Sequence, residues 1–179
     1  MPFPNRRTDR PGTTRRLRLK DYDYSTPGYY FVTICAHDRL HYLGSIAHDV
    51  LSPTPVGSMI GKTIEDCQSR FPTVSIDSSV VMPNHVHLLI GLAIRLNDQP
   101  HADNLIDIVH WLKSTTHQRY REGIRKHGWT PYSRMVWQEG YHDHIVRNDQ
   151  ELETLRAYIA SNVERWGEDQ FYDGFVDWR

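Results

Sequence analysis

The sequence predicts an α+β fold, a ferredoxin-like antiparallel sheet with helices packed on one face. Three observations lead there. The 179 residues suffice for one compact domain and fall short of two. A composition of 39% hydrophobic, 24% charged and 11% aromatic residues excludes a disordered, collagen-like or coiled-coil chain. Segments of β-formers and of three-to-four-residue apolar periodicity succeed one another in the order β, α, β, β, α, β, α.

Tyr29-Tyr30-Phe31-Val32-Thr33-Ile34-Cys35 is dense in β-formers and follows the turn pair Pro27-Gly28, which predicts a central opening strand. Asp49 to Thr54 reads as a connection. Val56, Met59, Ile60, Ile64, Cys67 and Phe71 then recur at helical spacing, so a helix with one buried face is expected, ended by Pro72. Val74 to Met82 resumes as a strand, Pro83-Asn84 turns or kinks the chain, and His85 to Gly91 continues as another strand. Residues 95–103 are polar and contain a proline, which marks a surface loop. Leu105, Ile108, Val109 and Leu112 open a long amphipathic helix that runs to about Lys126 and is basic in its later half. Gly128 and Pro131 break it, and Met135 to Gln138 reads as a short edge strand. Asn148 or Asp149 caps a last helix through Leu152, Leu155, Ile159 and Asn162.

Net charge is −1 but unevenly spread. In the first twenty residues Arg6, Arg7, Arg10, Arg15, Arg16, Arg18 and Lys20 face only Asp9, so this leader is near +6 and the rest of the chain near −7. Residues 1–20 are therefore read as a basic arm and residues 21–179 as the single domain. Affinity for nucleic acid would rest on the arm and on local patches, not on a globally basic surface. Cys35 and Cys67 lack CxxC spacing and read as small core residues. No apolar run approaches the roughly 18 residues of a membrane span and the first twenty residues carry no signal-peptide core, so a cytoplasmic location is expected.

Candidate chemistry starts at His85 and His87, two apart on a predicted strand, which points both imidazoles to one face. That geometry suits a metal. Among eleven histidines an accidental His-x-His is ordinary, and His142-Asp143-His144 is a second. Here, however, Val86 and Leu88-Leu89-Ile90 mark a largely buried strand, on which polar imidazoles need partners. Asn162 on the last helix offers a hard oxygen donor suited to Mg²⁺ or Mn²⁺, although it would serve equally as a helix cap. Tyr158, four residues earlier, shares its face, so a nucleophile and a metal ligand could meet there; spacing alone fits a packing tyrosine as well.

Met82-Pro83-Asn84-His85-Val86-His87-Leu88-Leu89, Trp111-Leu112-Lys113-Ser114, Val136 to Arg147 and Tyr158-Ile159-Ala160-Ser161-Asn162 together resemble the one-tyrosine HUH transposases, specifically the REP-associated tyrosine transposases. The likeness covers about Tyr29 to Trp166. It implies a ferredoxin-like, metal-dependent endonuclease that nicks and rejoins single-stranded DNA at or near REP-type hairpins through a 5′-phosphotyrosine intermediate. Carried over by position, the histidine pair falls on His85 and His87, the nucleophile on Tyr158 and the third metal ligand on Asn162, with Mg²⁺ or Mn²⁺ as the cofactor. His144 matches a histidine of the family's Trp-Gln segment and is expected as a partner of a metal ligand or a phosphate contact. Where the family has Asn-Pro, this chain has Asn162-Val163.

The expected partner is single-stranded or hairpin DNA of REP-like elements, acted on by a monomer or homodimer near the nucleoid. Lys113, Arg119 and Arg121 on the basic helix, with Arg15, Arg16 and Arg18 on the arm, are the candidate phosphate contacts. Tyr120, Trp111 or Trp137 are candidates to stack unpaired bases. Two other readings are a non-catalytic hairpin-binding protein that keeps the fold, and a zinc protein joining His85, His87, His142 and His144 in one tetrahedral site.

Overall fold

The computed structural model describes Leu19, residues 22–93, 103–132 and 135–169, and Tyr172. Arg15, Arg16 and Arg18 of the expected arm, and all but Asp103 of the expected 95–103 loop, lie outside the described residues. In chain order come β1 (Gly28–Cys35), a hairpin of β2 (Gly44–Ala47) and β3 (Val50–Pro53), α1 (Pro55–Glu65) and α2 (Cys67–Arg70). Then follow β4 (Val74–Val81), β5 (His85–Leu92), α3 (Leu105–His127), β6 (His142–Ile145) and α4 (Asp149–Ala160).

The main sheet has the order β4-β5-β1-β6, antiparallel at each pairing. With α1 between β1 and β4 and α3 between β5 and β6, this is the ferredoxin-like arrangement the sequence predicts. Strand alternation divides it into two faces. Tyr30, Val32 and Ile34 of β1 and Val86, Leu88 and Ile90 of β5 join Ile60 and Ile64 of α1 and Ile108, Val109 and Leu112 of α3 in the larger core. These two long helices share one face as expected. The last helix takes the other: Leu152, Leu155 and Ile159 of α4 close on Leu89, flanked by Tyr29, Phe31 and Val80. Burying each of these aliphatic side chains contributes about 1.5–3 kcal/mol. Register fixes what else lies on that second face, because Thr33 stands opposite His87, Cys35 opposite His85 and Phe31 opposite Leu89.

Caps set the helix ends. The Thr54 hydroxyl accepts from Gly57 N at 3.1 Å, Asn104 Oδ1 accepts from Asp107 N at 2.9 Å, and Asn148 Oδ1 accepts from Glu151 N at 2.9 Å. Gly128, at φ +66°, terminates α3.

The placement of α4 on the second face corrects the expectation of helices on one face, and the structure departs from the sequence reading in four further places. Asp49 to Thr54, expected as a connection, supplies the turn and second strand of a hairpin over residues 44–53, turned by His48-Asp49 at φ 50° and 59°. The expected helix over residues 56–71 breaks at Asp66 into α1 and α2. The edge strand is His142–Ile145, not Met135 to Gln138, which keeps a single bridge between Ala36 and Trp137. Val136 and Trp137 are apolar because they fill the core, where the Trp137 indole donates to the Thr116 hydroxyl at 2.8 Å. Finally, α4 stops at Ala160, and Asn162 sits in the turn after it, its N–H bonded to the Ile159 carbonyl.

Candidate metal centre and nucleophile

His85 and His87 project from β5 beneath the end of α4, both almost fully buried. Their Nε2 atoms meet at 3.0 Å. Behind them, His85 Nδ1 lies 2.8 Å from Asn84 Oδ1, a carboxamide oxygen that can only accept, so the proton sits on Nδ1 and Nε2 presents a lone pair. His87 Nδ1 lies 2.9 Å from the Thr33 hydroxyl, which donates or accepts and so serves either tautomer. Burial, reinforced at His85 by the adjacent His87, holds both imidazoles well below the ordinary histidine pKa, so both are neutral at cellular pH. Neutral imidazoles with oriented lone pairs are the form that ligates metal.

Tyr158 from α4 is half-buried, its hydroxyl 3.4 Å from His87 Nε2 and its ring edge-on to Phe31. Burial first, then the nearby Asp169 carboxylate, raises its pKa above that of a free phenol. Asn162 is buried; its Nδ2 donates to Asp169 Oδ2 at 3.4 Å, and its Oδ1 is buried with no hydrogen-bond partner. Two neutral imidazoles, with a carboxamide that is tied to the neighbouring Asp169 and keeps an orphaned oxygen, are donor types that fit a cation. Asp169 adds a carboxylate: His85, His87 and Asp169 each offer a ligand atom within 4.8 Å of one another. Sequence reasoning missed Asp169. It follows Asn162 by seven residues through a 3₁₀ turn over Trp166–Glu168, a spacing with no periodic signature.

The remaining sequence candidates fall elsewhere. His144 stands opposite Phe31 on β6, and its Nε2 lies 2.8 Å from Glu151 Oε1 in the first turn of α4. The four-histidine zinc site is overturned, because β1 separates β5 from β6 and the metal-competent group among the described residues is His85, His87 and Asp169. Lys113 is half-buried, its ammonium donating to the Gln138 and Gly140 carbonyls at 2.7 and 2.9 Å. Arg119 reaches Asp66 at 2.7 Å and the Thr63 hydroxyl at 2.9 Å. Both cations are engaged within the fold, while Arg121 is exposed. Tyr120 and Trp137 are buried and have no face for a base, and Trp111 packs edge-on against Phe71.

Comparison with known proteins shows the family and the fold. Residues 48–162 match the family described as Transposase IS200 like. The chain belongs to the IS200-like transposase family. An uncharacterised protein of Haemophilus influenzae (strain ATCC 51907 / DSM 11121 / KW20 / Rd) is 30% identical to it over 166 residues, 88% of this chain and 92% of that one. A second protein of that organism, provisionally named a REP-associated tyrosine transposase, is 26% identical over 167 residues, 87% of this chain and 80% of that one. In fold the chain is similar to a REP-associated tyrosine transposase solved bound to a REP hairpin. That match has a TM-score of 0.59 and 18% identity, and it covers 86% of this chain and 76% of that one. The likeness to REP-associated tyrosine transposases drawn from the motifs therefore holds. In this IS200-like transposase, His85, His87, Tyr158 and Asn162 lie inside the matched stretch and Asp169 lies beyond it.

Proposed function

We propose that this IS200-like transposase is a metal-dependent single-strand DNA endonuclease that nicks and rejoins DNA at or near REP-type hairpins, with Tyr158 as the nucleophile. The observation that carries the reading is the 3.4 Å approach of the Tyr158 hydroxyl to His87 Nε2, beside the orphaned Asn162 Oδ1. Hairpin DNA as substrate follows the solved relative, which is bound to one. His85, His87 and Asn162 would hold a divalent cation, Mg²⁺ or Mn²⁺. When bound, that ion polarises a non-bridging oxygen of the scissile phosphate and favours the phenolate.

The protein's own groups do the rest. Asn84 and Thr33 fix the imidazoles from behind, and α4 delivers the phenol from the far side of the pocket. The Tyr158 oxygen attacks phosphorus in line, and the bond to the 3′ oxygen breaks as the tyrosine–phosphate bond forms. The phenolic proton is lost to solvent, and the departing 3′ oxygen takes one up. Attack by a 3′-hydroxyl reverses the sequence, restoring phenol and phosphodiester with no outside energy source. Arg121, and the arm with Arg15, Arg16 and Arg18, would supply phosphate contacts. The polar tie of His144 to Glu151 supports a role in seating α4.

The test is incubation of the chain with a labelled single-stranded REP hairpin and Mn²⁺. Wild type should yield a covalent protein–DNA band. Tyr158→Phe should yield none while binding the hairpin within about threefold, since one partly buried hydroxyl contributes only about 1 kcal/mol to the fold. A band surviving in Tyr158→Phe would move the nucleophile to another residue. No wild-type band with tight hairpin binding would leave the non-catalytic alternative.

A further inference from the structure

After α4 the backbone turns back over the histidines through a run of tight turns. Arg165 N bonds Ser161 O, Trp166 N bonds Val163 O, and Asp169 N bonds Trp166 O. Trp166 is buried against the site, its ring 6.0 Å from His85 and 5.5 Å from His41, with Tyr172 edge-on behind it at 5.4 Å. This packing brings the Asp169 carboxylate to the two imidazoles, and Asn162 Nδ2 steers it from the side.

We propose that Asp169 is a fourth protein ligand of the metal centre, so that this chain builds a His₂–Asn–Asp set. The inference rests on the reading of His85, His87 and Asn162 as a divalent-cation site. Two neutral imidazoles and a carboxamide bring no negative charge, and a buried dication without an anionic ligand is costly. Hard cations of the Mg²⁺ and Mn²⁺ kind take carboxylate oxygen readily. A phosphate supplies the missing charge only while DNA is bound, whereas Asp169 supplies it beforehand. The geometry agrees: donors about 2.1 Å from an octahedral ion stand roughly 3 Å apart when adjacent and roughly 4.2 Å apart when opposite. Ligand atoms within 4.8 Å of one another reach those separations with small side-chain shifts. Four protein donors leave two positions for the phosphate and a water. The same bond would tie the Trp166 turn to the bound ion, so that metal binding is felt at the indole.

The competing role for Asp169 is electrostatic. Arg39 and His41 both act on His85, and in that role the carboxylate balances them without bonding the metal. The test is Mn²⁺ binding by the full chain without DNA, followed by titration calorimetry and by the change in tryptophan fluorescence. Wild type, Asp169→Asn, Asp169→Ser and His87→Ala are compared, each verified as folded by circular dichroism. The expected result is a loss of Mn²⁺ affinity of about 100-fold in both Asp169 variants and loss of the fluorescence change; Trp166→Phe should remove that signal without weakening binding. Wild-type affinity in either Asp169 variant, with His87→Ala impaired, overturns the proposal and leaves the metal-centre reading standing. Absence of Mn²⁺ binding by wild type itself overturns both.

Discussion

Asn162 Oδ1 is buried without a hydrogen-bond partner, which costs a fold about 1–3 kcal/mol. A cation bound at the proposed site would offset that cost. Asn162→Leu, which conserves volume, should therefore leave the melting temperature unchanged or raise it by a few degrees while abolishing the Mn²⁺-dependent covalent adduct. Thermal melts without added metal, run beside the adduct assay, check both halves. A drop of five degrees or more would assign the carboxamide to the fold. At this scale sequence pattern spoke unevenly. His85 and His87 were legible as a same-face pair on an apolar strand, whereas Tyr158 and Asn162 needed the family likeness to stand out from ordinary helix residues. Asp169 was invisible, since irregular turns carry no period. Lys113 and Arg119 read as free cations because sequence shows charge but not the carbonyls and the Asp66 carboxylate that occupy it.

The element on which the proposed chemistry depends is α4, whose apolar contact with the sheet is the small cluster around Leu89. Polar ties supplement it. Arg156 grips Asp77 of β4 through Nε at 2.9 Å and Nη2 at 2.5 Å, and Glu151 accepts from Arg147 N at 2.7 Å while facing His144. The Arg156 guanidinium holds the Asp77 carboxyl below the ordinary carboxylate pKa. A lowered folded-state pKa gives a contribution that is complete above the unfolded value near 4 and is lost as pH falls through the folded value. Arg156→Ala should thus lower stability modestly at pH 7, because the guanidinium is partly exposed and its ion pairs are screened, and the deficit should shrink as pH falls through the folded-state value of Asp77. The adduct rate should fall more, by about tenfold or greater, because small displacements of a nucleophile are amplified in rate. Urea midpoints at pH 7 and pH 3, with single-turnover adduct formation, test this; an unchanged rate would free α4 placement from the Asp77 tie. The long helices and strands β1, β4 and β5 were legible from period and β-formers. The β2–β3 hairpin was not, since Ser45, Ala47, Ser52 and Pro53 are poor strand formers and its turn depends on two non-glycine residues at positive φ. Strand β6 was hidden for a related reason: its histidines and aspartate pair by backbone alone, while the β-forming Val136 and Trp137 go to the core.

Across the whole molecule charge is divided so that the folded body and its proposed substrate carry the same sign. The chain beyond residue 20 is near −7, and the helix cations Lys113 and Arg119 are spent internally. Long-range attraction to DNA must then come largely from the seven basic residues of the first twenty. Each phosphate neutralised by a lysine or arginine steepens the dependence of log K on log salt by about 0.7 for single strands and 0.9 for duplex. Deleting residues 1–20 should therefore weaken hairpin binding at low salt by 100-fold or more and flatten the salt slope by up to about 5. Adduct formation at saturating protein should persist, because His85, His87, Tyr158 and Asn162 are untouched. The two readouts separate capture from cutting. Binding isotherms from 50 to 300 mM salt measure the first, and adduct yield at saturation the second. An unchanged slope would require exposed body cations such as Arg121 to overcome a net negative surface, and Arg121→Ala would then have to show the loss that the arm deletion did not.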